Sequence, residues 1–79
     1  MASAFVMINC EMGSEEKVIE ELKSFCCVKK VYGVFGEYDI VTRLECERME
    51  ELRQTIITEI RNIGNIKSTR TLMETVRQC

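Results

Sequence analysis

Four consecutive residues, Gly36, Glu37, Tyr38 and Asp39, concentrate the chemistry of this chain. Asp39 offers an anion to a cationic group. A glycine-permitted turn can expose backbone N–H groups to an anion, and Tyr38 adds a ring wall and a hydroxyl. The bland alternative stands beside this. An Asp just after a turn often bonds nearby backbone N–H groups, a strand Tyr is usually core, and a turn glycine can be there for φ alone. Thr69 and Thr71 alternate onto one face of the last strand, in which hydroxyls and charges replace most apolar positions, and there they can line a ligand wall or serve as ordinary β-formers at an interface. Arg43 and Arg70 are available to pair with Asp39 or Glu45 across strands, so they are left out of the site.

Catalysis finds little support. The chain has no histidine, no nucleophile elbow and no phosphate-cradling glycine loop, which removes the usual general bases and anion cradles. Glu37 and Asp39, two residues apart on a strand, make no acid/base pair by themselves. The five cysteines, Cys10, Cys26, Cys27, Cys46 and Cys79, are an odd set without Cys-x-x-Cys spacing. That pattern argues against a zinc site or a disulfide framework. Vicinal Cys26-Cys27 reads as apolar filler at a helix end, and the five methionines as filler of core and terminus. No catalytic residue, metal or cofactor is expected, and the chain reads as cytoplasmic and reduced.

What must position the turn is a single small domain. A chain of 79 residues hides only about 60–65% of the surface its unfolded form exposes, so its stability margin is thin and self-association would widen it. The apolar runs fall far short of the ~20 residues of a membrane span, and the N-terminus lacks the basic start and apolar core of a secretion signal. Eleven Lys and Arg are scattered among thirteen Asp and Glu, for a net charge of −2. No basic footprint for nucleic acid follows.

In chain order, residues 4–10 form a first strand of β-formers, read as buried on both faces. Gly13 breaks it, and Ser14 followed by Glu15 and Glu16 starts a helix, the hydroxyl available to cap a free N–H. Val18, Ile19, Leu22 and Phe25 recur at helical spacing against a charged opposite side. Two β-branched and aromatic runs, residues 28–35 and 38–45, flank Gly36-Glu37 as an antiparallel hairpin. A second amphipathic helix carries Met49, Leu52, Ile56, Ile60 and Ile63 inward and ends at Asn62 or Gly64. Residues 66–73 make the last strand. The β-α-β-β-α-β order with right-handed crossovers predicts a ferredoxin-like α+β sandwich. Its four-stranded antiparallel sheet has spatial order 4-1-3-2 and both helices on one face. The other face keeps an apolar row, Phe5 with Met7 or Val6 with Ile8. Exposed apolar area of that kind marks an interface and predicts a face-to-face dimer.

Three features together resemble the effector domain of the Lrp/AsnC (feast/famine) transcription regulators, often called the RAM domain. They are Gly36-Glu37-Tyr38-Asp39-Ile40 after Val31-Tyr32-Gly33-Val34-Phe35, the amphipathic second helix, and the final Ile66-x-x-Thr69-x-Thr71 strand. The resemblance spans residues 4–73, and its most specific part is the Gly-x-Tyr-Asp turn inside this element order. It implies homodimers joined through their sheets and rings of dimers, commonly octamers, with small amino acids bound in clefts between dimers. On that pattern Gly36, Glu37, Tyr38 and Asp39 meet the ligand's main-chain groups, and Thr69 and Thr71 supply part of the wall. Full-length members carry a helix-turn-helix segment ahead of this domain, whereas the first strand here begins near residue 4. The expectation is therefore a stand-alone domain that binds no DNA itself and acts on a partner such as a full-length regulator. A purely structural association module, or a small cofactor-free dimeric enzyme on the same scaffold, are the alternatives.

Overall fold

Strand β1 (Ala2–Cys10) alternates strictly, with Ala2, Ala4, Val6, Ile8 and Cys10 buried and the residues between them at least partly exposed. A strand of this kind has one core face and one open face, because successive side chains point to opposite sides of the pleat. The strand is thus not buried on both faces, as its composition suggested. The computed structural model describes residues 2–73 of the chain. After β1 come α1 (Glu15–Lys23), β2 (Val28–Gly33), β3 (Ile40–Cys46), α2 (Met49–Gln54), a π-helical segment (Thr55–Ile60) and β4 (Ile66–Met73). The strands form one antiparallel sheet in the order β2-β3-β1-β4, which is the predicted arrangement.

The core lies between one sheet face and the helices. Val18 and Leu22 of α1, then Leu52, Ile56 and Ile60 of the second helical stretch, pack on Ala4, Val6, Ile8, Ile40 and Leu44. Burying each Leu or Ile stabilises the fold by about 1.5–3 kcal/mol. Thr42 is the one polar side chain counted in this core among the described residues, and its hydroxyl donates to the Lys30 carbonyl at 3.0 Å. A buried hydroxyl with a partner carries little desolvation penalty. On the opposite face, Phe5 pairs across strands with Arg43 and Leu72, and Met7 with Val41 and Arg70. Phe5, Tyr32 and Leu72 are exposed there, so the open apolar row is the one containing Phe5 and Met7.

Several local features differ from the sequence expectation. Ser14 does precede α1, but its hydroxyl donates back to the Glu11 carbonyl at 2.6 Å and makes no side-chain cap. The second helix keeps Leu52, Ile56 and Ile60 inward, yet Met49 is 40% exposed. From Thr55 the winding loosens to π geometry, and it ends at Ile60 with Arg61 as the cap. Met12 is fully exposed and fills nothing. Cys27, just before β2, and Cys46 at the end of β3 form a disulfide, with Cα atoms 5.6 Å apart. This overturns the reading of Cys27 as filler and of the cysteines as lacking a disulfide. The strand ladder explains the pairing, since Glu45 N–H donates to the Cys27 carbonyl at 2.8 Å. Beside it Lys29 is an extra residue in the β2–β3 register, a local bulge. Among the described residues, no helix is long and apolar enough to cross a membrane.

Candidate functional site

The connection between β2 and β3 is wider than a two-residue turn. The strands stop at Gly33 and Ile40, leaving residues 34–39 as a loop closed by Val34 N–H donating to the Asp39 carbonyl at 3.0 Å. Gly36 sits at its tip with φ of +128°, backbone that a side chain would strain, so glycine is demanded here. Phe35 next to it is fully exposed, and Tyr38 and Asp39 are half-buried.

Asp39 ties this loop to β1. Its N–H donates to the Ile8 carbonyl at 3.0 Å, and its Oδ2 accepts from Cys10 N–H at 3.0 Å. Backbone pairing of β1 with β3 ends at Ile8 and Ile40, and the carboxylate continues the ladder one step further. Asp39 therefore does perform the anchoring role of the bland reading, across strands rather than within the turn. Arg43 pairs with Glu45 at 2.9 Å, not with Asp39. Asp39 also lines a cleft of about 310 Å³ together with Glu15, Gly33, Val34 and Phe35. Two carboxylates and, among the described lining residues, no cation make this an acceptor for positive charge.

Thr69 and Thr71 lie elsewhere. They pair with Ile8 and Val6 and so share the helix-side face of β4, at the sheet edge. Thr69 borders a groove of about 330 Å³ with Arg61, Ile66, Lys67 and Ser68. Thr71 borders an adjoining groove of about 250 Å³ with Arg53, Ile56, Ile57, Arg61 and Met73. Both grooves are basic. The two halves of the predicted site thus carry opposite charge. Within one chain they are separated by β1, because Ile40 and Thr69 flank the same residue, Ile8, about 10 Å apart across two strand spacings. Of the predicted residues, Gly36, Glu37, Tyr38 and Asp39 belong to the loop and the two threonines to the distant edge, and none of these three clefts joins them.

Sequence reasoning passed over Glu15, Arg53 and Arg61. Glu15 was taken for a helix-start acid, and the arginines for solvated surface. The usable signal was Arg53, Ile57 and Arg61 at four-residue spacing, an apolar residue framed by two cations on a face that should be polar.

The free cysteine Cys10 is buried beside this site. Burial pushes its thiol above the ordinary value, the Ser14 hydroxyl hydrogen bond pulls it down, and the charges of Asp39 and Glu15 push it up again. A raised value means the folded chain holds the proton more tightly than the unfolded one. The stability it contributes is present below pH 9.0, the unperturbed value, and is lost as pH rises through the higher folded value. Melting temperature should accordingly fall above that pH, and Cys10→Ala should flatten the fall. An alkaline limb unchanged in the variant would assign the decline to other groups.

Comparison with known proteins agrees with this architecture. The family model described as the Lrp/AsnC ligand binding domain matches residues 3–77. The regulatory protein AsnC of Haemophilus influenzae is 38% identical over 58 residues, a match covering 73% of this chain and 39% of that protein. The chain thus spans well under half the length of this curated relative. The crystal structure of FFRP-DM1 superposes with a TM-score of 0.91 at 33% identity, covering 95% of this chain and all of that one. A hypothetical protein from Pyrococcus horikoshii superposes with a TM-score of 0.91 at 32% identity, covering 98% of this chain and 93% of its own. Family model, sequence relative and superposed folds converge: this chain belongs to the Lrp/AsnC ligand-binding domain family, whose members are regulatory rather than catalytic.

Proposed function

We propose that the chain is an amino-acid-sensing effector domain that acts through assembly. One observation carries the reading: the two halves of the site have opposite charge and lie apart in a single chain. The ammonium and carboxylate of an amino acid hang on one carbon atom, so a ligand cannot span both halves of one copy. It can be held where the acidic loop of one copy meets the basic edge of another. Asp39 and Glu15 receive the ammonium, and N–H groups exposed around Gly36 and Glu37, or Arg53 and Arg61, receive the carboxylate. Tyr38, Thr69 and Thr71 supply walls.

In this reading two sheets pair through the Phe5, Tyr32 and Leu72 face into a homodimer, and dimers join into larger rings, octamers by family precedent. Ligand between dimers shifts the balance of assemblies by no more than its preference for one over the other. The change is read by a partner in the cytoplasm, such as a full-length regulator of amino acid metabolism, and this domain does not itself touch DNA. The bond from Cys10 N–H to Asp39 favours a second reading, an association module with no physiological ligand.

A thermal-shift screen against the twenty amino acids, run beside native mass spectra, separates the two. A ligand at ~100 times its dissociation constant should stabilise the folded assembly by about 2.7 kcal/mol, a shift on the order of 10–20 °C for a domain this small. If no amino acid moves either the midpoint or the mass, the association module takes the lead.

A further inference from the structure

The disulfide fastens a strand that is otherwise weakly held. No residue of β2 is fully buried: Val28 and Val31 rest half-buried against the core, while Lys29, Lys30, Tyr32 and Gly33 are exposed. β3 by contrast buries Ile40, Thr42, Leu44 and Cys46. In the sheet β2 pairs with β3 alone, and the bulge at Lys29 interrupts that ladder. Elements with few buried apolar groups open most readily in a native protein. The Cys27–Cys46 bond closes the base of this hairpin, so β2, the loop of residues 34–39 and β3 form one covalent ring. Such a ring denies β2 the chain entropy that it would gain by parting from β3. The bond is also within reach of solvent. Cys26 is exposed, Cys27 beside it is half-buried and Cys46 is 5% exposed, so a reagent meets Cys27 first.

We propose that Cys27–Cys46 is a reversible thiol–disulfide switch that sets how readily β2 and the loop of residues 34–39 part from the sheet. A thiolate of the glutathione class attacks Cys27 Sγ, the S–S bond breaks, and its electron pair leaves on Cys46 Sγ, which takes up a proton. A second thiolate attacks the added sulfur of the mixed disulfide and releases Cys27 Sγ, which is protonated in turn. Two electrons pass to the chain and the two reagent thiols leave as one disulfide; that oxidised form runs the exchange backward. The fold persists in both states, because the bonds from Glu45 N–H to the Cys27 carbonyl and from the Thr42 hydroxyl to the Lys30 carbonyl involve no sulfur. They keep the two cysteines opposite each other, ready to close again. The bearing of the switch on ligand binding rests on the sensing reading above, through the loop that carries Gly36 and Asp39; the switch itself does not.

The test equilibrates the full chain in millimolar glutathione buffers of graded ratio, alkylates the free thiols and weighs the product, then follows amide exchange of each state by mass. Two further cysteines should become alkylated as the reduced form comes into excess. A bond that survives about a hundredfold excess of reduced over oxidised glutathione is a permanent staple and overturns the proposal. In the reduced chain, amides of residues 28–39 should exchange at least about tenfold faster than in the oxidised one, with β1 and α2 unchanged. Equal rates overturn the proposal, and so does a uniform acceleration in every element, which would mean a loss of global stability alone. Cys46→Ser should exchange like the reduced chain in every buffer, and Cys26→Ser should switch like wild type. A Cys26→Ser chain that no longer switches overturns the assignment to Cys27 and Cys46. If the switch operates while no amino acid shifts the melt, the sensing reading fails alone.

Discussion

Asp39→Ala should lower the stability of the chain by roughly 1–2 kcal/mol, or about 5–15 °C in melting temperature, before any ligand is added. The cause is the Cys10 N–H, which donates to Asp39 Oδ2 at 3.0 Å and would be left without an acceptor. The same change releases the loop from β1, since no other side chain among the described residues reaches that donor. Asp39→Asn separates the two roles of this residue. The amide oxygen can still accept from Cys10, so the melt should stay close to wild type. The lost charge should weaken amino-acid binding by roughly 1.5–3 kcal/mol, the scale of a charged hydrogen bond. Isothermal titration beside thermal melts gives both quantities. If the Asn variant binds as tightly as wild type, Asp39 is an anchor and the ammonium is held elsewhere. If it melts as low as the Ala variant, the negative charge itself holds the ladder extension together.

Reduction of the Cys27–Cys46 disulfide should produce the larger loss, about 3 kcal/mol, because it frees a loop of 19 residues in the unfolded chain. The folded sheet has little to lose directly, as Glu45 N–H still meets the Cys27 carbonyl at 2.8 Å. Stability falls because the unfolded ensemble gains freedom. Melting with and without a phosphine reductant should show a drop on the order of 15 °C, and Cys46→Ser should reproduce it with no further effect of reductant. Equal midpoints under both conditions would show that the bond closes no entropy-rich loop. Thiol titration of the native chain should find exposed Cys26 fast and buried Cys10 slow.

The architecture was legible because its signals are long and periodic. The helical spacing of the inward Val18, Leu22, Leu52, Ile56 and Ile60 determines which faces meet regardless of where each element stops, whereas β1 reads as apolar throughout and its one-sided burial came from the structure. Local outcomes depended on partners far along the chain. Gly36-Glu37 looks like the centre of a tight hairpin, yet the strands part at Gly33 and Ile40 because β1, not the turn, holds Asp39. Pattern alone does not predict that a carboxylate will continue a backbone ladder 29 residues away. The disulfide was hidden for the same reason. Cys27 and Cys46 become neighbours only once the β2–β3 register is known, whereas their spacing resembles no motif. The Arg53, Ile57 and Arg61 stripe was visible, but it gains meaning only beside Thr71 and Met73 of β4.

The bulge at Lys29 sets which routes of self-association are open. β2 is an outer strand of the sheet, and an outer strand with a regular row of free N–H and C=O groups is a template for endless edge-to-edge stacking. An extra residue breaks that row, and Lys29 and Lys30 set two exposed positive charges along it. The opposite outer strand, β4, places Lys67 and Arg70 in the same exposed manner. Strand addition is disfavoured at both margins, so copies of this domain are turned away from edge-to-edge fibres.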